Sequence, residues 1–170
     1  LGDTHSAMSA AEKLKISPGE YLERERLAME KSEFVNGEVF AMAGASYEHN
    51  LIAVNLTGEF RTAFKDRPCV VLGSEMKVWI ASVNTFTYTD LSGRCGPLDF
   101  QDSSRDTYSN PTFIVEILSD GTKIYDRSGK FHRYQTLPSL CEYVLVSQHN
   151  VAVDIYRRHE AGWLYQSLQR

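Results

Sequence analysis

The chain has 170 residues, a hydrophobic content of 42% and a net charge of −4 at pH 7. This length suits one domain with a sizeable core, and the acidic balance argues against a protein that coats nucleic acid through its overall charge. The sequence has neither an apolar run of membrane-spanning length nor a signal-peptide pattern, so we expect a cytoplasmic protein without membrane contact.

The chain is expected to divide at about residue 16. Residues 1–16 open with the polar stretch LGDTHSA, which precedes the first Met, Met8, and this predicts a disordered lead-in or a remnant of the expression vector. Residues 17–170 contain no repeat, low-complexity tract or linker, and are predicted to form a single nuclease-like domain once the resemblance described below is included.

The first predicted elements are a helix, a hairpin and a second helix. Ser17-Pro18-Gly19-Glu20 has the residues of a helix N-terminus and predicts a helix to about Lys31. Asn36-Gly37 lies between two apolar segments and predicts a tight β-hairpin. Apolar residues recur at helical spacing between residues 46 and 64, which predicts the second helix.

The rest of the chain predicts mainly strands. Short apolar segments predict strands over residues 69–72, 76–80, 86–90 and 114–118, and a closing meander over 142–147, 151–156 and 163–168. The polar, turn-rich residues 92–110 predict an exposed loop, and a third helix is expected after Ser119. The pattern indicates an α/β fold with a mixed β-sheet flanked by α-helices.

The three cysteines are predicted to be free thiols. Cys69, Cys95 and Cys141 are odd in number and widely spaced, and none forms a Cys-x-x-Cys pair. This pattern argues against a disulfide framework and against a cysteine zinc site.

One carboxylate lies inside an apolar run that is expected to be a strand covered on both faces. The run is Ile114-Val115-Glu116-Ile117-Leu118. A lone ionised carboxylate is costly to bury, so Glu116 must protonate, pair with a cation or bind a metal. Arg127 and Arg133 are candidate cations for a purely structural pair.

Asp90 ends the preceding predicted strand and could meet Glu116. If the two strands are neighbours they lie about 5 Å apart, and two carboxylates on one face could bridge a hard divalent cation. The alternative is that Asp90 is an ordinary turn residue at a strand end.

The order of motifs resembles the Uma-two family of endonucleases, described as a domain of unknown function, within the PD-(D/E)xK restriction-endonuclease-like superfamily. The resemblance runs from about Ser17 to Trp163. Its motifs are SPGEYL, EFVNGEVFAMAGAS, His49, NPTFIVEILSDGT, YDRSGKFHRYQTLPSLCEYVLVSQ and VDIYRR.

The resemblance implies that Asp90 and Glu116 hold Mg²⁺ or Mn²⁺. The superfamily lysine normally stands two residues after the second acid, where this chain has Leu118. Lys130 in DRSGKF is then the expected catalytic lysine, and Lys123 is a second candidate.

Three further residues are possible accessories of this site. Glu33 matches an acid before the hairpin, His49 matches a histidine at the start of the second helix, and Tyr134 could support Lys130. Each has an ordinary alternative: Glu33 could pair with Lys31, His49 could make a local helical hydrogen bond, and Lys130 could be a solvated helix residue.

The resemblance implies a Mg²⁺-dependent endonuclease that hydrolyses phosphodiester bonds in DNA, with a homodimer as a possible assembly. Family members usually carry Pro before the first acid, whereas this chain has Tyr88-Thr89-Asp90. Two other functions therefore stay open. One is a nuclease-fold interaction module without turnover, and the other is a phosphohydrolase acting on a small nucleotide.

Overall fold

The structure is a computed structural model that describes residues 15–121 and 123–170. Its helices are α1 (Pro18–Leu27), α2 (Tyr47–Ala63), α3 (Lys123–Tyr125) and α4 (Phe131–Tyr134), with a π-helical turn (Asp126–Lys130) between the last two. Its strands are β1 (Ser32–Val35), β2 (Glu38–Ala41), β3 (Cys69–Gly73), β4 (Lys77–Ile80), β5 (Thr85–Tyr88), β6 (Leu91–Cys95), β7 (Thr107–Tyr108), β8 (Phe113–Leu118), β9 (Glu142–Ser147), β10 (Ala152–His159) and β11 (Gly162–Gln169).

The two long helices begin where their capping residues predict. The hydroxyls of Ser17 and Ser46 accept hydrogen bonds from the backbone three residues on, which satisfies a free N–H group at each helix start. Helix α1 ends at Leu27 rather than near Lys31. Glu25 accepts hydrogen bonds from the backbone N–H and hydroxyl of Ser32, and these bonds turn the chain directly into β1.

The predicted hairpin is confirmed. Strands β1 and β2 pair antiparallel, and Asn36 and Gly37 between them both have positive φ angles, 48° and 96°. Two consecutive positive φ angles are the conformation that an Asn-Gly turn supplies.

The strands form two mixed sheets flanked by helices. One has the order β2-β1-β5-β4-β7 and the other the order β11-β10-β9-β8-β6-β3. Thr89 and Asp90 connect β5 in the first sheet to β6 in the second. The chain therefore crosses between the sheets at Asp90, one of the two acids that the sequence singles out.

Strand β8 is the centre of the six-stranded sheet. It is antiparallel to β6 and parallel to β9, and all six of its residues are buried. Helix α2 covers one face through Leu56, Phe60 and Phe64. Phe131 and Tyr134, from helical residues 123–134, belong to the core cluster on the other face. This double cover explains the apolar run around Glu116.

The expectation of an exposed loop over residues 92–110 is wrong in part. Residues 91–95 form β6, whose first three residues are buried, and Thr107–Tyr108 forms β7. Ser92 and Gly93 act as small strand residues rather than turn residues. A Cβ on Gly93 would lie 2.2 Å from the Phe113 ring and 2.4 Å from the Val70 carbonyl oxygen, so only glycine fits here.

The expectation of three free thiols is also wrong. Cys69 and Cys95 lie opposite each other in the antiparallel β3–β6 pair and form a disulfide, with their Cα atoms 3.9 Å apart. Because residues 92–110 were expected to form a loop, the cross-strand position of Cys95 was not foreseen. Cys141 is a free, exposed thiol.

Removing this disulfide is expected to lower the free energy of unfolding by about 3 kcal/mol, because it closes a chain loop of moderate length in the unfolded state. The two cysteines are 26 residues apart in sequence. Urea unfolding of a Cys69→Ser, Cys95→Ser double variant measures the loss, and Cys141→Ser is the matched control. Equal stability of all three proteins would contradict this expectation.

The expected lead-in falls mostly outside the described residues, since residues 1–14 are not among them. Ile16 donates a backbone hydrogen bond to Gly37 O at 3.0 Å and packs against the cluster around Tyr21. The division at residue 16 stays a prediction. In the described part of the chain, no helix combines the length and apolar character needed to cross a membrane.

Candidate active site

Glu116 is at the centre of the candidate site. This residue is 2% exposed. Both oxygens of its carboxylate accept hydrogen bonds. Oε1 accepts a hydrogen bond from Tyr134 Oη at 2.8 Å and lies 3.2 Å from Lys130 Nζ. Oε2 accepts from the backbone N–H of Asp90 at 3.3 Å. The buried carboxylate is therefore held by three donors, two from helical residues 123–134 and one from the segment between β5 and β6.

Asp90 lies beside Glu116 because β6 and β8 are neighbours. Leu91 is opposite Val115, so the next position outward brings Asp90 to Glu116. Asp90 Oδ2 accepts a hydrogen bond from Ile117 N at 2.6 Å, in return for the one that Asp90 N donates to Glu116. These two reciprocal hydrogen bonds hold the carboxyl groups of Asp90 and Glu116 side by side.

Lys130 occupies the space between the two sheets and is 9% exposed. Its Nζ lies 3.2 Å from Glu116 Oε1, 3.5 Å from Asp126 Oδ1 and 3.8 Å from Glu33 Oε1. One ammonium group is therefore surrounded by three carboxylates, each from a different element. The ordinary reading of Lys130 as a solvated helix residue is wrong.

Glu33 connects the site to the five-stranded sheet. It lies on β1 and accepts a hydrogen bond from Thr87 on β5. Thr87 Oγ1 is also 3.5 Å from Tyr134 Oη, which in turn binds Glu116. A chain of polar contacts therefore joins the two sheets through the candidate site.

His49 approaches the site from the first turn of α2. Its Nε2 lies 3.1 Å from Asp90 Oδ2, and its side chain is 15% exposed. The hydrogen bond to Asp90 raises the pKa of His49 above its ordinary value, while burial opposes that rise. An imidazolium next to Asp90 balances part of the negative charge of the site.

Six of the seven candidate residues meet in one place, and Lys123 does not. Lys123 is exposed and lies 3.6 Å from Asp120, outside the carboxylate cluster. Leu118, which stands where the superfamily lysine is expected, is the last residue of β8. Lys130 instead contacts Glu116 from the helical residues that follow this strand.

The alternative partners that the sequence offered bind elsewhere. Arg127 pairs with Asp154, and Arg133 donates a hydrogen bond to the hydroxyl of Tyr125. Lys31 pairs with Glu75 and donates to Ser74 O. None of these three groups forms the structural pairs with Glu116 or Glu33 that were considered above.

Sequence reasoning missed three buried members of the site, Asp126, Thr87 and Tyr143. Asp126 is 2% exposed and precedes Lys130 by four residues, a spacing that brings side chains together on a helix. That spacing was a usable signal. Tyr143 donates a hydrogen bond to Asp126 O at 2.8 Å, and no sequence pattern indicated this cross-element contact.

The segment that carries Lys130 has an unusual helical geometry. Asp126–Lys130 forms a π-helical turn between two short α-helices. A π-turn is wider than an α-turn and is frequent at functional sites. Both its first and its last residue, Asp126 and Lys130, are buried in the cluster.

Burial dominates the electrostatics of the site. It raises the pKa of Glu116 to about 8, and neighbouring Asp90 and Asp126 add to this rise while Lys130 opposes it. Burial disfavours the charged form of Lys130, but Glu116, Glu33 and Asp126 outweigh it and hold the Lys130 pKa well above its usual range. Lys130 is therefore a proton donor in hydrogen bonds and a fixed positive charge.

The raised pKa of Glu116 predicts a loss of stability with rising pH. Between about pH 5 and pH 8 the native state holds a proton that the unfolded state has released, so the free energy of unfolding should fall by on the order of a few kcal/mol. Urea unfolding in chelator across this range measures the slope. Glu116→Gln should flatten it.

His49 changes stability with pH in the same direction as Glu116. Its pKa is also raised in the folded state, so its contribution to the free energy of unfolding is lost as pH rises. A His49→Gln variant therefore separates the two groups. If wild type and Glu116→Gln had equal slopes, the raised pKa of Glu116 would be contradicted.

An open cleft leads to this cluster. Its volume is about 730 Å³, and Asp90 and His49 are among its lining residues. The walls come from α2, from the segment after β2 and from the β3–β4 turn; they include Met42, Asn50, Ser74 and Glu75. The cleft gives a ligand access to Asp90, whereas Glu116 and Lys130 lie behind it.

Asp90 and Glu116 are two adjacent carboxylates, a donor set that a divalent cation could use if water or a substrate completed its coordination. Among the described residues, no group of three or more His, Cys, Asp and Glu side chains is arranged to hold a metal ion. Mg²⁺ commonly uses one or two carboxylates together with waters and substrate phosphates. Asp90 and Glu116 offer two such carboxylates next to an open cleft.

The fold is similar to that of a solved structure described as "a putative nuclease belonging to DUF820" from Anabaena variabilis. It superposes with a TM-score of 0.70 at 16% sequence identity, covering 91% of this chain and 85% of that one. At this identity the likeness shows the fold. This chain therefore shares the fold of that structure, with mixed sheets flanked by helices.

The family follows from the sequence comparisons. Residues 18–170 match a family described as "Uma2: Putative restriction endonuclease", and the chain belongs to this Uma2 family. Two uncharacterized Synechocystis proteins are similar. One, slr1290, is 37% identical over 91% of this chain and 81% of its own length. The other, sll1609, is 36% identical over 90% of this chain and 87% of its own length.

Proposed function

We propose that this protein is a metal-dependent endonuclease that hydrolyses phosphodiester bonds in DNA. The observation that carries the proposal is the contact of one buried lysine with the second of two interlocked acids, at 3.2 Å between Lys130 Nζ and Glu116 Oε1. Membership of a family described as restriction endonucleases supports the same function. The fold by itself would be compatible with many functions.

The charges of the cluster favour a divalent cation. Asp90, Glu116, Glu33 and Asp126 are four carboxyl groups, whereas Lys130 and His49 supply two positive charges when protonated. If all four acids ionise, two negative charges are left without a counter-charge in a largely buried place. One divalent ion would balance them and would oppose the effect of burial, which raises the pKa of Glu116.

Asp90 and Glu116 are the proposed ligands, and Mg²⁺ or Mn²⁺ is the proposed ion. When bound, such an ion lowers the pKa of a coordinated water and offsets charge on the scissile phosphate. Tyr134 and Lys130 both bind Glu116 Oε1, so they fix the carboxylate with Oε2 toward Asp90. The protein thereby orients its second ligand before any substrate arrives.

Lys130 is proposed to act on the substrate as a hydrogen-bond donor. Its raised pKa keeps it protonated near neutral pH, so it is not a general base. It can donate to the attacking water or to a phosphoryl oxygen and stabilise the charge that develops there. Glu33 and Asp126 keep the ammonium charged and in position.

A second candidate function is an interaction module that keeps the nuclease fold without turnover. It is favoured by the contacts of Asp90, whose Oδ2 already accepts from Ile117 N and lies 3.1 Å from His49 Nε2. A carboxylate oxygen engaged by two donors has less capacity for a metal. The two functions therefore differ in whether the resting protein binds a divalent ion.

Calorimetric titration with Mn²⁺ separates the two functions. We expect the wild-type protein to bind one ion per chain and Asp90→Asn to lose this binding, because the variant replaces an anionic ligand with a neutral amide. Asp66→Asn, at an exposed position, is the matched control. A wild-type protein that takes up no Mn²⁺ would favour the interaction module.

A further inference from the structure

Strand β11 forms one edge of the six-stranded sheet, with β10 as its neighbour. It is eight residues long, GWLYQSLQ, and contains neither a charged residue nor a proline. Leu164, Tyr165 and Leu168 are 59%, 57% and 49% exposed. A long, uncharged edge strand presents free backbone N–H and C=O groups on which another strand can pair.

Two of the other three sheet edges in the described part of the chain are protected against such pairing. Strand β2 has four residues and begins with Glu38, and β7 has two residues. Short length and charge are the usual devices that prevent pairing between edges. Strand β3 is also uncharged but has only five residues, so β11, with eight, is the longest unprotected edge.

One face of β11 continues the apolar surface beneath α2. Val146 packs in the α2-covered cluster, and the strand registers place Val153 opposite Val146 and Leu168 opposite Val153. Leu164 shares this face by alternation, whereas Tyr165 binds Asp154 on the other side. The two exposed leucines therefore extend an apolar sheet face to the edge.

We propose that β11 pairs antiparallel with β11 of a second copy of this chain, around a two-fold axis at Gln166. A two-fold axis perpendicular to the sheet leaves each face of the second copy on the same side as the equivalent face of the first copy. Side chains on one face of β11 therefore lie beside side chains on the equivalent face of the second copy. Leu164 then lies opposite Leu168 of the second copy, and Gln166 lies opposite Gln166. The occupant is a second copy because the strand is self-complementary in this register and has no charge to repel its equivalent.

The pairing makes one twelve-stranded sheet with both candidate sites on the same face. Seven strand spacings separate the two β8 strands, about 34 Å at about 4.8 Å each. That distance is close to one turn of B-form DNA. This last consequence alone depends on the proposed nuclease function, and the pairing itself does not.

Complementary charges at Gln166 test the proposal without using activity. The background is Cys141→Ser, which removes the exposed thiol as a source of cross-linking. By light scattering, the parent should have twice the 19.3 kDa protomer mass, and Gln166→Lys and Gln166→Glu should each weaken the dimer at least tenfold. Mixing the two variants should restore it, because Lys and Glu then meet at the axis.

Gln101→Lys, at an exposed position away from β11, is the charge-matched control and should stay dimeric. A monomeric parent would overturn the proposal. Dimers that persist in both Gln166 variants would also overturn it, since another surface would then hold the copies together. Charged variants that do not reassociate when mixed would overturn the two-fold register at Gln166.

Discussion

Glu116→Gln is expected to reduce Mg²⁺-dependent nicking of supercoiled plasmid DNA by about 10²–10³-fold. The variant keeps the size of the side chain and the acceptor for Tyr134, but it removes the negative charge that a divalent ion requires. The neutral amide also removes the cost of an ionised group at a 2% exposed position. Activity should therefore fall while stability at pH 8 is kept or increased.

Opposite movements of activity and stability would distinguish a functional acid from a structural one. A carboxylate that served only to hold Lys130 would lose stability when neutralised, whereas stability is expected to be kept here because Glu33 and Asp126 still pair with the ammonium. Glu160→Gln, an exposed change of the same chemistry, should alter neither quantity. Equal nicking by wild type and Glu116→Gln would end the assignment of Glu116 as a metal ligand.

Lys130→Met is expected to abolish nicking and to lower the free energy of unfolding at pH 8 by about 3–5 kcal/mol. Methionine keeps the length and apolar stem of lysine but leaves Glu116, Glu33 and Asp126 around an uncharged group. Breaking a buried pair by removing one partner typically costs this much. Plasmid nicking and urea unfolding measure the two effects.

The pH dependence of Lys130→Met gives an internal control for the cause of this loss. Near pH 5 Glu116, whose pKa is raised by burial, holds its proton, so the variant should regain part of its stability there. Lys123→Met, at the other candidate lysine, should keep both nicking and stability because Lys123 lies outside the cluster. If Lys123→Met lost activity and Lys130→Met did not, the roles of the two lysines would be reversed.

Glu116 could be identified from the sequence because its signal is local. A carboxylate between branched apolar residues contradicts the strand around it, and such contradictions mark functional positions. Asp90 and Lys130 carry no comparable local signal. Asp90 looks like a turn residue and Lys130 like a surface helix residue. The predicted strands brought Asp90 to Glu116 only on the condition that they are neighbours, and the order of motifs in the resemblance singled out both residues.

The parts that sequence reasoning did not foresee depend on pairings between distant segments. Strand β6 consists of Leu-Ser-Gly-Arg-Cys, a composition typical of a loop, and it is a strand because it pairs with β3 and β8. Gly93 suits this strand because Phe113 and β3 leave no space for a Cβ there. Without β6, the disulfide partner of Cys69 could not be placed. Asp126 was missed for a related reason, since its spacing to Lys130 is informative only once Lys130 is known to be buried.

Gly93 limits which substitutions the neighbouring strands β6 and β8 can accept. Because a methyl group there would overlap both the ring of Phe113 and the backbone of β3, no single exchange at position 93 is neutral. A descendant with alanine at this position would need a smaller residue at 113 and a displaced β3. Positions 93 and 113 should therefore covary among relatives that keep this sheet, and an ancestral substitution at 113 should precede any at 93.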